Sequence, residues 1–350
     1  SSADAAKINV AAGDLALNAT DFATSWLLSG AGAGGGAAGV GGTLSAGVNA
    51  GTTKARIGDY AETNASGTTL VHADSVENVN SISVAGAGGG SAGVAGTIAL
   101  NVVVSKTEAG IGDHAKVNQG FAGETVDVRA TDRVITVAAT GAGAGGGAAG
   151  VGVTANATVA LNTTTAYIGN GAEVDATGDV KVAASSEKYV NALAIAGAGG
   201  GAAGVAGAVA IISVGSLLDG EAKSGLSPKD DSGTTTTTQS QADGQLNKSA
   251  VGGMLGDTGQ AAETKGVLDA NAGKLAVGKY MDDSTPIPLK NTQAFIGHGA
   301  RVGAGGNVAV SAKDTTLAII ASGAGGGGGA ASVVGTLGVV IGRASCRERV

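Results

Sequence analysis

The chain has 350 residues and a net charge of −7, and it contains 65 glycines; 43% of it is hydrophobic but only 2% is aromatic. Because its apolar residues are largely Ala and Val, its core must form by close approach of backbones and not by burial of large rings. The acidic balance argues against nucleic-acid binding. Glycine without a G-X-Y period excludes collagen.

The N-terminal residues 1–28 read as the end of a repeating unit. Ile8–Ala19 alternates apolar and polar residues on both sides of Gly13, and Glu173–Ala184 has the same pattern around Gly178. Alternation with a period of two is typical of strands that bury one face. We therefore predict a strand, a turn and a second strand at both places.

A block of small residues, GAGGGAAGV, recurs along the chain with few changes. Its copies are Gly32–Val40, Gly86–Val94, Gly143–Val151, Gly197–Val205 and Gly325–Val333. Successive copies are 54, 57, 54 and 128 residues apart. A fixed register of this kind indicates a repeat protein.

These glycine blocks contain GxGxxG matches, but the matches are equivalent repeats with no helix predicted after them. A dinucleotide site needs one strand–turn–helix copy with a downstream acidic residue. The blocks also lack the Asp of a calcium-binding β-roll. We therefore interpret them as places where neighbouring backbones approach closely, and we predict no cofactor.

A second landmark, Ile-Gly followed by a polar residue, keeps the same register. Its polar residues are Asp59, Asp113, Asn170 and His298. The free exchange of Asp, Asn and His favours a turn over a repeated metal ligand. The three histidines, His72, His114 and His298, occupy non-equivalent positions, so we assign no catalytic, cofactor-binding or metal-binding residues.

Each unit of 54–57 residues is too long for one strand, since it would extend to roughly 180 Å at about 3.3 Å per residue. The sequence therefore predicts several strands or more than one coil per unit, and two or three coils would give a rod very roughly 40–70 Å long.

Leu193–Val214 is uncharged over a membrane-spanning length. Because this pattern recurs in every unit and is rich in Gly, we interpret it as strand and not as a membrane helix.

The wide spacing of 128 residues marks an irregular insertion at 216–290. This segment contains all three prolines and both methionines of the chain, together with the run Thr234–Thr238. Proline cannot donate to a strand ladder, so its confinement here marks where the regular structure stops. The acidic pairs Asp230-Asp231 and Asp282-Asp283 are expected to decorate a loop. The predicted organisation is solenoid at 1–215, insertion at 216–290 and solenoid again at 291–340.

The last ten residues, 341–350 (IGRASCRERV), break the pattern abruptly. They resemble the translation of a sequencing adapter, so we interpret them as an artefact, and we expect further natural sequence on both sides of the chain. They include the only cysteine, Cys346. The remaining body therefore has no Cys nucleophile, no disulfide and no Cys-ligated zinc.

The repeat pattern resembles that of large secreted filamentous adhesins, the filamentous-haemagglutinin-like and leukotoxin-like proteins of type V secretion. The clearest match is Asn162–Ala183, NTTTAYIGNGAEVDATGDVKVA. The resemblance implies an elongated parallel β-helix at the bacterial cell surface or outside it, and its motif brings no catalytic residues. The expected fold class is all-β, a repetitive β-solenoid with Gly/Ala-rich stacked strands and one irregular insertion.

The expected function is a non-enzymatic structural and adhesive segment, with the insertion at 216–290 as its contact surface. The expected partner is a host cell, a matrix surface or a glycan; neither nucleic acid nor a membrane-spanning role is expected. One alternative is a β-helix enzyme acting on polysaccharide near the insertion, which would need clustered Asp, Glu, Lys or Arg on one face. An ice- or crystal-binding solenoid is a second alternative, but one anchor Thr per unit is sparse for that role.

Overall fold

A computed structural model describes residues 6–120, 123–214, 292–342 and 346–349. All the regular structure in these ranges is β-strand, and the strands form parallel sheets, which confirms the predicted all-β solenoid. The strands are β1 (Lys7–Val10), β2 (Leu15–Gly35), β3 (Ala38–Ile57), β4 (Glu62–Ala65), β5 (Thr69–Gly89), β6 (Ala92–Ile111), β7 (Lys116–Val117), β8 (Val126–Gly146), β9 (Ala149–Ile168), β10 (Glu173–Ala176), β11 (Val180–Gly200), β12 (Ala203–Val214), β13 (Thr292–Ile296), β14 (Arg301–Ala304), β15 (Val308–Gly328), β16 (Ala331–Gly342) and β17 (Cys346–Arg349).

Each repeat forms one coil made of a short strand and two long strands. The short strands build sheet 1 (β1, β4, β7, β10, β14), the first long strands build sheet 2 (β2, β5, β8, β11, β15), and the second long strands build sheet 3. Sheet 3 contains β3, β6, β9, β12 with β13, and β16 with β17. The register follows the repeat, since Ile57 pairs with Ile111, Ile111 with Ile168, and Ile168 with Ile296.

The solenoid is wider than it is long: each unit forms several strands, which is one of the two predicted alternatives, and the rod that two or three coils per unit would give is wrong. A 21-residue strand such as β2 extends over about 70 Å at 3.3 Å per residue. Five coils stacked at about 4.8 Å give only about 24 Å along the axis. The sequence spacing could not show this, because it fixes the length of a repeat but not how many turns that length makes.

The inside of each coil tapers from large side chains to none. At the wide end the three sheets enclose a core of Ile and Val, with Ile111, Ile168 and Val174 almost fully buried. A second core between sheets 2 and 3 contains Val103 and Ile212 as well as several alanines. Further along, the interior narrows to an alanine cluster. Side-chain size therefore sets the spacing of the two long sheets.

At the narrow end the backbones of sheets 2 and 3 touch through glycine. A Cβ on Gly150 would lie against the carbonyl oxygen of Gly199 and 2.9 Å from the carbonyl carbon and amide nitrogen of that residue. Gly93 meets Gly145 of the following coil in the same way. The glycine blocks are therefore points of close backbone approach, as the sequence indicates, and each one also contains the reversal from sheet 2 to sheet 3.

The structure forms strands both in the segment considered as a membrane helix, Leu193–Val214, and in part of the C-terminal tail, Cys346–Arg349. Leu193–Val214 contains the end of β11, a reversal at Gly201-Ala202 and all of β12. Among the described residues, no helix has the length and apolar character needed to cross a membrane. In the C-terminal ten residues, Cys346–Arg349 forms β17 beside β13, in parallel register. The adapter interpretation of this tail stays a prediction.

Candidate functional site

In the fourth coil, the strand of sheet 3 is described in two parts, β12 and β13. Val214, at the end of β12, pairs with Ala160 of β9, and Thr292, at the start of β13, pairs with Thr164 of the same strand. Three residues of β9, 161–163, lie between these two pairing positions, whereas residues 215–291 lie between Val214 and Thr292 in the fourth coil. The segment at 216–290, which the sequence predicts as the contact surface, lies outside the described residues, and so do Asp230-Asp231 and Asp282-Asp283.

The Ile-Gly corners form a hydrogen-bonded ladder along the solenoid. The Asp59 carboxylate accepts from the Asp113 amide at 2.8 Å, and the Asp113 carboxylate accepts from the Asn170 amide at 2.7 Å. The side-chain oxygen of Asn170 then accepts from the His298 amide at 2.9 Å. Each step needs only an acceptor oxygen, which explains why Asp and Asn exchange there. This is the turn role that the sequence predicts.

The residue after each corner adopts a left-handed backbone, and its identity varies between coils. Tyr60, His114, Gly171 and Gly299 have φ values of 59°, 56°, 61° and 71°. Non-glycine residues are uncommon in this region. Tyr60 and His114 stack with their ring centroids 5.0 Å apart, which offsets part of the backbone cost.

The structure does not bring the three histidines together. His72 lies on the outer side of sheet 2, where its Nε2 is 3.4 Å from Asp127 Oδ2, whereas His114 and His298 belong to corners two coils apart. Within the described ranges, no group of three or more His, Cys, Asp or Glu side chains could hold a metal ion.

Sequence reasoning missed a polar cluster buried between sheets 2 and 3. At its centre the Asp132 carboxylate accepts from Ser105 Oγ at 2.9 and 3.0 Å and from Asn162 Nδ2 at 2.6 Å. Asn162 also donates to Ser186 Oγ at 2.5 Å. Burial raises the pKa of Asp132, while the hydrogen bonds from Asn162 and Ser105 oppose that rise. The contacts tie three coils together across both long sheets.

Glu77 and the Lys188–Asp314 pair extend this cluster in opposite directions along the solenoid axis. Glu77 is buried one coil earlier and accepts from Asn49. Burial, with the nearby charges of Asp21 and Asp132, raises its pKa to about 7. In the other direction, the Lys188 ammonium lies 2.6 Å from the Asp314 carboxylate, and both side chains are almost fully buried.

The cluster was detectable in principle from the parity of the strand. Val128, Ala130 and Val134 face inward in β8, and Asp132 occupies the same alternate positions. No repeat pattern marks the cluster, because its residues differ from coil to coil. The register partners of Asp132 in the two neighbouring strands are Ser75 and Ser186. Asp132, Ser105 and Ser186 are all buried, so the centre of the cluster is shielded from solvent.

The outer side of sheet 2 carries exposed apolar residues across all five coils. They are Phe22, Trp26, Leu28, Ile82, Val84, Val137, Leu193, Ile195, Leu317 and Ile319. On the outer side of sheet 3, by contrast, Val102, Val104 and Leu161 form a buried apolar cluster. Exposed apolar side chains also occur on the end strands of sheet 3, at Val40, Leu44, Val48, Val333 and Leu337, whereas those of sheet 2 occur in all five coils.

Comparison with family models, curated proteins and solved structures finds no match to this chain. The strands and sheets define the class of protein as a wide parallel β-solenoid with one coil per repeat.

Proposed function

We propose that this chain is a structural and adhesive segment of a large secreted or cell-surface bacterial protein. The repeats act as the scaffold, and the segment at 216–290 makes the contact with a host cell, a matrix surface or a glycan. Support comes from the repeat architecture, since stacked coils each stabilise their neighbours and present surfaces at fixed spacing. The resemblance of Asn162–Ala183 to filamentous adhesin repeats points the same way.

The observation that carries the proposal is the position of the interruption. The 77 residues between Val214 and Thr292 branch from one strand, while the register of sheets 1 and 2 continues into the fifth coil. The two attachment points lie four register positions apart, or about 13 Å. A segment inserted with its ends this close can be added without disturbing its host. Insertions in repeat proteins are often on the binding face.

The experiment replaces residues 215–291 with the tripeptide Leu-Asn-Thr, which spans the same gap in β9 as residues 161–163. Binding to cells, glycans and matrix proteins is compared with that of the full chain, with far-UV circular dichroism as the folding control. We expect binding to be lost while the β-sheet signal is kept. Unchanged binding would assign adhesion to the solenoid faces, and absence of binding by the full chain would contradict the adhesive part of the proposal.

A further inference from the structure

The outer side of sheet 2 contains an uncharged region that we call the outer patch. It consists of the outward-facing residues in four register columns, those of Thr24, Trp26, Leu28 and Gly30, across the five strands of the sheet. None of these twenty positions is charged. The exposed side chains include Trp26 at 73% and Leu28 at 82%.

The outer patch has an area at the upper end of the range for the largest patch on a typical monomer. Four columns extend over about 26 Å along the strands and five strands over about 24 Å across them, which gives about 600 Å². The largest apolar patch on a typical monomer is about 300–600 Å² and is often functional. Its few polar groups are partly paired with each other, because Asn80 Nδ2 donates to Asn78 Oδ1 at 3.0 Å.

Charges begin at the next column, on the side of the wide core. There Arg133 NH2 and Glu187 Oε2 form an ion pair at 2.9 Å. On the other side, beyond Gly30, the columns contain only glycine. The outer patch therefore has a rim that contains Arg133 and Glu187 on one side and a bare backbone on the other, with the exposed Trp26 side chain between them. Aromatic anchors beside a polar rim are typical of protein interfaces.

We propose that the outer patch is a self-association surface on which a second copy of this chain packs, patch to patch, about a two-fold axis. Two β-sheets pack face to face about 10 Å apart when their strands are nearly aligned. A second copy presents a face with the same 4.8 Å strand spacing and the same uncharged columns. Two patches bury about 1,200 Å² together, which reaches the lower end of the range for specific interfaces.

A lipid surface fits the outer patch less well. The chain has a net charge of −7, so an anionic leaflet repels it, and the rim beside the patch contains Glu187 as well as Arg133. Edge-to-edge pairing of the end strands β2 and β15 is a different contact, because it joins backbones and produces open chains and not closed dimers. It does not involve the middle of sheet 2.

The test compares two lysine substitutions on β8, the central strand of sheet 2. Val137→Lys places a charge in the middle of the outer patch, at an exposed site between Asn80 and Asn191. The matched control, Thr131→Lys, places the same charge outside the patch, where Asp74 is its register neighbour. Light scattering after size-exclusion chromatography is recorded for the full chain over a wide concentration range, in reducing buffer so that Cys346 forms no disulfide.

We expect a concentration-dependent dimer in the unsubstituted chain and in Thr131→Lys. In Val137→Lys, dimerisation should be weaker by on the order of 100-fold, since each of two buried ammonium groups costs about tenfold or more. Trp26→Ala should also weaken the dimer without unfolding the chain, because that side chain is largely exposed. Circular dichroism establishes that all four proteins are folded.

Several results would overturn the proposal. They are a monomer at every concentration, equal association of all four proteins, or open-ended oligomers that Val137→Lys leaves intact. Flotation with neutral and anionic phospholipid vesicles provides the remaining arm. If the monomeric chain floats with vesicles and Val137→Lys does not, the patch binds lipid and not a second copy.

Discussion

Replacement of Gly150 by alanine should destabilise the solenoid at its narrow end. The added Cβ would lie against the carbonyl oxygen of Gly199 and 2.9 Å from two further backbone atoms of that residue. Since backbone cannot rotate away as a side chain can, the two sheets must separate locally. Overpacking of this kind costs about 1–3 kcal/mol.

The matched control is Gly143→Ala, in the same glycine block. Gly143 is exposed and nothing lies within 4 Å of an added Cβ. Here the loss of glycine freedom in the unfolded chain should stabilise the protein by about 0.4–1 kcal/mol. Each variant adds one methyl group, so a difference of about 1.4–4 kcal/mol in the free energy of unfolding between them reports on the contact between the sheets.

Urea unfolding followed by far-UV circular dichroism measures the difference, and amide hydrogen exchange in β8 and β9 shows whether the loss is local. Exchange is needed because coils of a repeat protein can unfold in steps. If Gly150→Ala unfolds at the same urea concentration as Gly143→Ala or at a higher one, sheets 2 and 3 do not touch there and the account of the glycine blocks is wrong.

Three further substitutions probe the polar interior and the corners by thermal or urea unfolding. Burial raises the pKa of Glu77 from its ordinary value of 4.5 to about 7, so as pH rises the unfolded chain releases this proton before the folded chain does. The free energy of unfolding should therefore fall as pH rises from about 4.5 to about 7. Glu77→Gln should remove this fall, and an unchanged pH profile in the variant would contradict the prediction. Lys188→Met leaves the Asp314 carboxylate buried without its ion-pair partner and should lower the free energy of unfolding by about 3–5 kcal/mol. Lys181→Ala breaks an exposed ion pair and should lower it by less than about 1 kcal/mol. Equal losses of stability in the two variants would refute the distinction between buried and exposed pairs. Asp113→Ala removes a ladder acceptor and should cost about 1 kcal/mol, while Asp113→Asn should be nearly neutral, and a large loss in Asn would show that charge matters there.

Sequence spacing predicted the parts of the fold that repeat. The Ile-Gly corners pair directly between coils, as Ile111 and Ile168 do, because a fixed period in the chain becomes a fixed register in a parallel sheet. The strand–turn–strand at 172–183 is present as β10 and the start of β11. Alternation of side chains is enough to find such strands, since it follows from the pleat itself.

The remaining features depend on contacts between different coils. The number of coils per repeat depends on where the chain reverses direction. In the glycine blocks this reversal cannot be recognised from the sequence, because the same small residues form the strand ends and the turn between them. Asp132 and Lys188 interact with residues of neighbouring coils that differ at each step, so no repeat pattern marks them. The outer patch likewise arises only when alternate residues of five strands are placed side by side.

The distance between Thr24 and Leu317 tests most directly whether each repeat makes one coil. Both residues face outward in sheet 2 and belong to the same register column, four strand spacings apart. With Cys346 replaced by Ser, nitroxide labels are attached at Thr24→Cys and Leu317→Cys. Pulsed electron–electron double resonance then measures the distance between the two labels. One coil per repeat predicts a backbone separation of about 19 Å. Two coils per repeat would give about 38 Å, and a distance in that range would contradict the fold described above.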